Sequence, residues 1–94
     1  MYYTYVLVSE RDRGFYIGCT ANLKARLSEH NRGRVASSAA RKPFRILYYE
    51  ACLSREDAFR REKYLKTGRG RKYLRNRIRT TLYTLWPSEL ERAT

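Results

Sequence analysis

The sequence predicts an α+β fold in which a small three-stranded antiparallel sheet is flanked by helices in the order ββαβαα. Two segments, residues 2–9 and 44–50, are rich in the aromatic and β-branched side chains that strands favour. Residues 10–14 form a short polar connection that ends in glycine, which is typical of a hairpin leading into a strand at residues 15–19. In the remaining segments, apolar residues three and four positions apart indicate helices.

The segment at residues 2–9 carries apolar side chains on both of its alternating faces. A strand of this kind buries both faces, so it is predicted to be the central strand of the sheet with helices on either side.

Capping residues set the limits of three predicted helices. Thr20 or Asn22 can accept hydrogen bonds from the free amides of the first helix, and Gly33 follows its end. Ser54 suits the start of the second helix, and Gly68 suits its end. The predicted helices lie near residues 22–31, 54–67 and 70–82.

The length of 94 residues fits one domain with a modest core, and the hydrophobic fraction of 43% is ordinary for a globular chain. Residues 1–82 are predicted to form this domain, and residues 83–94 a C-terminal tail. No linker or internal repeat indicates a second domain.

A formal net charge of +12 and a pI near 10.2 favour a polyanionic partner, with nucleic acid as the leading candidate. The nine tyrosines support this interpretation, because nucleic-acid surfaces combine phosphate contacts with ring stacking. A membrane surface is disfavoured, since no long apolar stretch or lipidation motif is present.

Cys19, Cys52 and His30 do not have the spacing of a zinc site. Both cysteines occur in apolar strand-like contexts, where we expect small buried side chains. The N-terminus runs directly into strand pattern without a basic leader, so we expect no signal peptide and a cytoplasmic location.

Arg26 and His30 lie on the same face of the first predicted helix as Leu23 and Leu27, because these positions recur at helical spacing. An arginine between two core leucines requires a partner or a function. One alternative is an arginine that extends to water beside a histidine at the core margin. The other alternative is that Arg26 and His30 both belong to a functional site.

The second predicted helix places Glu62 within an inner stripe formed by Ala58, Phe59 and Leu65. A carboxylate there is costly unless it is paired or bound to a metal. It can therefore form a buried salt bridge with Arg26, or it can ligate a hard cation such as Mg²⁺, which is often held by one carboxylate together with waters and phosphate.

These residues resemble the signature of the GIY-YIG endonuclease superfamily. Tyr16-Ile17-Gly18 is similar to the second half of the signature, and Tyr5 stands where the tyrosine of the first half would lie. Arg26 and His30 follow Tyr16 by ten and fourteen residues, as the family pattern requires, and Glu62 is similar to the family glutamate.

The resemblance covers residues 2–79 and is greatest to short stand-alone bacterial members. These have the same domain as the N-terminal nuclease of the excinuclease component that makes the 3′ incision in nucleotide-excision repair. The chain departs from the pattern in its first motif, where Tyr3-Thr4-Tyr5 lacks the glycine and isoleucine. Asn76 is a candidate for an asparagine that larger relatives use. Ala39-Ala40 makes the segment before Arg41 poor in polar ligands.

The resemblance implies a metal-dependent endonuclease that hydrolyses DNA phosphodiester bonds, with a role in DNA repair or recombination. Glu62 would hold the divalent metal, Mg²⁺ or Mn²⁺, and Arg26 would neutralise charge on the phosphate. Tyr5 is favoured as the general base and Tyr16 as its positioning partner, although either tyrosine fits either role. His30 would take the proton onward. Ordinary core tyrosines with satisfied hydroxyl groups are the alternative.

Cationic residues other than Arg26 are predicted to bind the phosphates of duplex or branched DNA without reading its sequence. They occur before the third strand and in a predicted loop at residues 66–72, where Gly68 and Gly70 allow close approach. These predicted nucleic-acid-binding residues are Arg41, Lys42, Lys66, Arg69, Arg71 and Lys72.

Two other functions compete with the endonuclease. One is a catalytically inactive nucleic-acid-binding module on the same fold. The other is a small protein-interaction domain, which explains neither the charge nor the Tyr, Arg, His and Glu set.

Overall fold

The computed structural model describes residues 1–86, which form a three-stranded antiparallel sheet in the order β2-β1-β3 with helices on both faces. The predicted α+β class and strand order along the chain are confirmed. The strands are β1 (Tyr2–Ser9), β2 (Phe15–Thr20) and β3 (Phe44–Cys52). The helices are α1 (Leu23–Asn31), α2 (Arg55–Leu65), α3 (Gly68–Arg77) and α4 (Arg79–Leu85), and a short 3-10 turn spans Ala39–Arg41.

The central strand β1 is buried along residues 4–9, because helices cover both sides of the sheet. On one face, Val6 and Ile17 pack against apolar side chains of α2, α3 and α4. On the other face, Tyr5 and Leu7 pack with Phe44 and with the partly buried leucines of α1. Since β2 is an outer strand, its free edge lies between α1 on one face and α2 on the other.

Each of the first three helices begins at a side-chain cap. The Oδ1 atom of Asn22 accepts from the Ala25 amide at 3.1 Å, so Asn22 caps α1. The hydroxyl of Thr20 instead accepts from the Asn22 amide at 3.1 Å and supports the turn before the helix. The hydroxyls of Ser54 and Thr67 cap α2 and α3 in the same way. These caps satisfy amide groups that have no partner inside the helix.

The helix predicted at residues 70–82 is wrong as a single element, because Ile78 leaves helical geometry and separates α3 from α4. Leu74, Ile78 and Leu82 nevertheless all remain buried against the sheet. Helical spacing therefore predicted the buried stripe, although two short helices carry it rather than one. Trp86, beyond the predicted domain end, also packs against this core. The domain boundary at residue 82 stays a prediction, and residues 87–94 lie outside the described residues.

Candidate active site

A cleft of about 440 Å³ opens at the free edge of β2, where α1 and α2 approach from opposite faces of the sheet. Tyr5, Tyr16, Arg26 and Glu62 all line it, although they come from four different elements. The structure therefore brings four of the five predicted catalytic residues to one open site. The fifth, His30, is fully buried behind Tyr5.

Gly18 makes room for the Tyr5 side chain. The two residues face each other in the β1–β2 register, and a Cβ atom on Gly18 would lie 2.5 Å from Cζ of Tyr5. Because that distance is far inside van der Waals contact, only glycine lets the Tyr5 ring lie across β2. The glycine of the YIG motif thus places the Tyr5 hydroxyl group beside α1.

The Tyr5 hydroxyl group bonds to two residues of α1. Its oxygen lies 2.9 Å from Nε2 of His30, and Nε of Arg26 donates to it at 3.4 Å. Arg26 and His30 are four residues apart, so one face of α1 presents both groups to the same oxygen. This contact explains the polar pair that the sequence places on the inner face of α1.

The segment between α1 and β3 supplies two hydroxyl groups that the sequence interpretation missed. Oγ of Ser38 lies 2.6 Å from Nδ1 of His30, and Ser38 is fully buried. Oγ of Ser37 lies 2.9 Å from the hydroxyl oxygen of Tyr16, whose ring packs edge-on to the His30 ring. The prediction that this segment is poor in polar ligands is therefore wrong, because Ser37 and Ser38 bond Tyr16 and His30.

Burial and the charge of Arg26 shift the pKa values of Tyr5 and His30. Burial raises the pKa of Tyr5, and the hydrogen bond and charge of Arg26 only partly oppose this rise. Burial, followed by the charge of Arg26, lowers the pKa of His30. His30 is therefore a neutral imidazole at neutral pH, and Tyr5 is a neutral phenol.

Glu62 lines the cleft with a side chain that is 15% exposed. Its Oε2 atom accepts from Nζ of Lys66 at 2.8 Å, one helical turn further along. Arg26 instead pairs with Glu29 at 3.7 Å, so the alternative of a structural salt bridge between Arg26 and Glu62 is wrong. The two side chains lie on different walls of the cleft.

Among the described residues lining the cleft, Glu62 is the one carboxylate. Within residues 1–86, no group of three or more His, Cys, Asp or Glu side chains could hold a metal ion. This donor set fits a hard divalent cation that keeps most of its waters, and it does not fit zinc.

Two further residues of α2 line the cleft, and the sequence interpretation did not assign them to it. Arg55 and Phe59 precede Glu62 by seven and three residues, so helical spacing already places all three on one face. The prediction that Phe59 packs inside is wrong: the residue is 49% exposed and lines the open cleft.

The comparison with protein families decides which family the fold and cleft represent. Residues 1–79 match the model of the GIY-YIG catalytic domain. The chain belongs to the GIY-YIG family. The predicted resemblance is confirmed, and with it membership of a nuclease family whose members generally use divalent metals.

Curated relatives of this GIY-YIG protein are short bacterial chains. A UPF0213 protein of Lacticaseibacillus paracasei is 42% identical over 66 residues, which cover 69% of this chain and 73% of the relative. A UPF0213 protein of Staphylococcus haemolyticus is 37% identical over 70% of this chain and 80% of its own length. A UPF0213 protein of Pediococcus acidilactici is 37% identical over 80% of this chain and 82% of its own length.

The names of these relatives state no activity. No solved structure matches the chain. Across residues 1–86, none of the helices has the length and apolarity that a membrane span requires.

The cysteines of this GIY-YIG chain are both free and only partly buried. Cys19 lines the cleft, and Cys52 lies at the end of β3. The expectation of small buried side chains therefore holds only in part, because both cysteines are partly exposed.

Arg41, one of the predicted phosphate-binding residues, holds the β1–β2 hairpin. Its Nε atom donates to Asp12 Oδ2 at 2.7 Å, and a terminal nitrogen donates to Asp12 Oδ1 at 3.2 Å and to the Phe15 carbonyl at 3.3 Å. The hydrogen bond from Arg41 lowers the pKa of Asp12 to about 2. Much of the guanidinium is thus used within the molecule, whereas the neighbouring Lys42 is exposed.

The predicted loop at residues 66–72 is wrong, because it is a tight helix–helix junction. Lys66 is the C-terminal cap of α2, and α3 already begins at Gly68. A Cβ atom on Gly70 would overlap the Tyr64 carbonyl of α2, so Gly70 allows two helices to pack rather than DNA to approach. The cations of this junction are all exposed: Lys66, Arg69, Arg71 and Lys72.

Asn76, the candidate for the family asparagine, lies on the exposed side of α3. It is not among the residues lining the cleft. Nothing in its position connects it with Tyr5 or Glu62.

Proposed function

We propose that this GIY-YIG protein is a metal-dependent endonuclease that hydrolyses DNA phosphodiester bonds, with a role in DNA repair or recombination in the cytoplasm. One observation carries the proposal: Tyr5, Tyr16, Arg26 and Glu62 line a single open cleft. Hydrolysis of a phosphodiester requires an activated water, a cationic group on the phosphate and stabilisation of the leaving oxygen. The cleft offers a candidate for each requirement.

Arg26 is the group proposed to bind the scissile phosphate. Its Nε atom is directed to Tyr5 at 3.4 Å, and its side chain remains 33% exposed at the cleft wall. A guanidinium carries five N–H donors, so it can hold Tyr5 and still donate to phosphate oxygens. Arg55 lines the same cleft and is proposed as a second phosphate contact.

Tyr5 is proposed as the general base and Tyr16 as its positioning partner. The contact that favours Tyr5 is its 2.9 Å bond to Nε2 of His30, which offers a second acceptor for a proton. A water proton passes to the Tyr5 oxygen while the hydroxyl proton of Tyr5 passes to His30. A free phenolate, which the raised pKa of Tyr5 disfavours, is then unnecessary.

Glu62 is proposed as the metal ligand. A divalent metal bound there, Mg²⁺ or Mn²⁺, would act as a Lewis acid toward the phosphate and the leaving oxygen. The side chain that presently bonds Glu62 is Lys66, which is 50% exposed and therefore free to turn toward DNA phosphates instead.

The substrate proposed from charge is duplex or branched DNA, bound without sequence preference. The exposed cations of the α2–α3 junction begin at Lys66, which bonds Glu62 at 2.8 Å, and they are proposed as phosphate contacts beside the cleft. Lys42 lies on the segment that also carries Ser37 and Ser38.

The second candidate is a catalytically inactive DNA-binding module. The observation that favours it is the 2.8 Å bond between Lys66 and Glu62, because an ammonium group there already supplies the positive charge that a metal would bring. In this case Glu62 orders the basic junction and does not take part in chemistry.

Nicking of supercoiled plasmid distinguishes the two candidates. We expect the parent protein to convert supercoiled plasmid to open circles with Mg²⁺ or Mn²⁺ and to leave the plasmid intact with chelator. Tyr5→Phe should lose nicking by about 10²–10⁴-fold, the usual contribution of a general base, while DNA affinity is retained. Tyr83→Phe is the matched control, since Tyr83 is 49% exposed on α4 and does not line the cleft. No nicking with any divalent metal, together with intact DNA binding, would establish the inactive module.

A further inference from the structure

A chain of hydrogen bonds runs from the cleft wall into the protein through four side chains. Arg26 Nε lies 3.4 Å from the Tyr5 oxygen, which lies 2.9 Å from His30 Nε2. On the far side of the ring, His30 Nδ1 lies 2.6 Å from Ser38 Oγ. The Ser38 hydroxyl group then donates to the Val35 carbonyl at 3.4 Å.

The two ends of this chain fix the direction of its hydrogens. A guanidinium can only donate and a carbonyl can only accept. If every donor is to use the acceptor beside it, Tyr5 donates to Nε2 of His30, and Nδ1–H of His30 donates to Ser38. The opposite tautomer would make the Tyr5 oxygen accept from both Arg26 and His30, and its own hydrogen would lose its acceptor inside the protein.

Ser38 has a rigid position from which to impose this direction. It is fully buried, its amide donates to the Val35 carbonyl at 3.0 Å, and its own carbonyl accepts from the Arg41 amide at 2.9 Å. His30 is also fully buried, so water does not compete for its Nδ1 atom. A hydrogen bond at one ring nitrogen decides which tautomer a neutral imidazole adopts.

We propose that Ser38 is a positioning residue that holds His30 as the Nδ1-protonated tautomer, so that Nε2 is a free acceptor for the Tyr5 proton. This inference rests on the proposed function for its catalytic consequence, but not for the tautomer itself. In the reaction, an O–H bond of water breaks as its proton bonds to the Tyr5 oxygen. The water oxygen bonds to phosphorus as the bond between phosphorus and the leaving oxygen breaks. The Tyr5 O–H bond breaks as the hydroxyl proton of Tyr5 bonds to Nε2 of His30. His30 becomes an imidazolium, and its Nδ1–H continues to donate to Ser38.

The tautomer is measurable without substrate or metal. His30 is the one histidine in the sequence, so ¹⁵N-histidine labelling of the untagged protein gives a single imidazole in long-range ¹H–¹⁵N spectra. At neutral pH we expect a pyrrole-type Nδ1 and a pyridine-type Nε2. A pyrrole-type Nε2 in the parent protein would overturn the proposal by itself, whatever the variants do.

Variants at residue 38 test whether the serine imposes the tautomer. Ser38→Ala removes the acceptor, so the His30 spectrum should shift toward a tautomer mixture. Ser38→Thr keeps the hydroxyl group and should keep the parent spectrum. Ser37→Ala is the spectroscopic control, because Ser37 bonds Tyr16 rather than the His30 ring nitrogens. An unchanged His30 spectrum in Ser38→Ala would refute the role of Ser38.

Cleavage links the tautomer to the reaction. Ser38→Ala should lower the nicking rate by about tenfold, less than the 10²–10⁴-fold that loss of the general base itself would cost, with DNA affinity unchanged. Ser38→Thr should restore the rate, and an equal rate in Ser38→Ala would refute the catalytic consequence. A parent that never nicks DNA defeats the proposed function but leaves the spectroscopic result standing, so the two failures are distinguishable.

Discussion

Glu62→Gln separates a metal ligand from a structural carboxylate. The substitution removes the ion pair that Glu62 forms with Lys66 at 2.8 Å, and Lys66 is half exposed. An i,i+4 pair whose lysine is half exposed contributes only about 0.3–0.5 kcal/mol. For a domain of this size, that corresponds to a fall in melting temperature of about 1–4 °C. A buried bridge to Arg26 would have cost about 3–5 kcal/mol, but the two side chains do not pair.

The effect on cleavage should be far larger than the effect on stability. Loss of a metal-binding carboxylate removes several kcal/mol of transition-state stabilisation, which corresponds to about 10²–10⁴-fold in rate. DNA affinity in chelator should stay equal or increase, because a negative charge leaves a cleft that binds phosphate. The measurements are thermal melting, DNA affinity and the nicking rate with Mg²⁺ or Mn²⁺.

Glu56→Gln is the matched control, since it removes the same charge from the first turn of α2 and lies outside the cleft. It should cut at the parent rate. A folded Glu62→Gln protein that also cuts at the parent rate would refute the metal-ligand role. An early melt of Glu62→Gln alone would show that the carboxylate is structural.

Three further predictions concern packing, pH and salt. Gly18→Ala should lower stability by about 1–3 kcal/mol, because the added methyl group overlaps Tyr5. Gly68→Ala is the control and should be neutral or stabilising, because the space around Gly68 is open. Equal melting temperatures of the two variants would contradict this prediction. Burial holds the pKa of His30 below its unfolded value near 6.5, so the unfolded chain gains a proton first and stability should fall as pH drops below about 6.5. Denaturant titrations should show this slope, at most about 1.4 kcal/mol per pH unit, and its persistence in His30→Gln would contradict the assignment. The lowered pKa of Asp12, about 2, contributes stability in a separate pH window, and that stability is lost as the pH falls from about 3.8 to about 2. Neutralising the α2–α3 cations should flatten the plot of log affinity against log salt by about one phosphate per charge; an unchanged slope would place the DNA elsewhere. Those cations are Lys66, Arg69, Arg71 and Lys72.

The sequence by itself determined the sheet and most of the site. Apolar residues on both faces of residues 2–9 predicted a central strand, and β1 is central and buried. The four-residue interval between Arg26 and His30 predicted a shared helix face, and both groups reach the Tyr5 oxygen. These features follow from local periodicity, because the pitch of a helix and the pleat of a strand fix which side chains share a face.

Only the tertiary structure decided which neighbours those faces meet. The sequence indicated that Glu62 faces inward, but whether it pairs with Arg26 or Lys66 depends on how far apart α1 and α2 lie across the β2 edge. Gly70 suited a DNA-facing loop until the close approach of α2 and α3 explained it. The break at Ile78 was likewise invisible in a stripe whose spacing continues unbroken.

Ser37 and Ser38 show this limit most clearly. Ser37 lies 21 residues after Tyr16 and Ser38 lies 8 residues after His30, in a segment with no helical or strand period. No local pattern fixes where such a segment crosses the sheet, so its hydroxyl groups could not be assigned to the site in advance. Folding brings them against Tyr16 and His30 as the chain connects the end of α1 at Asn31 to the start of β3 at Phe44.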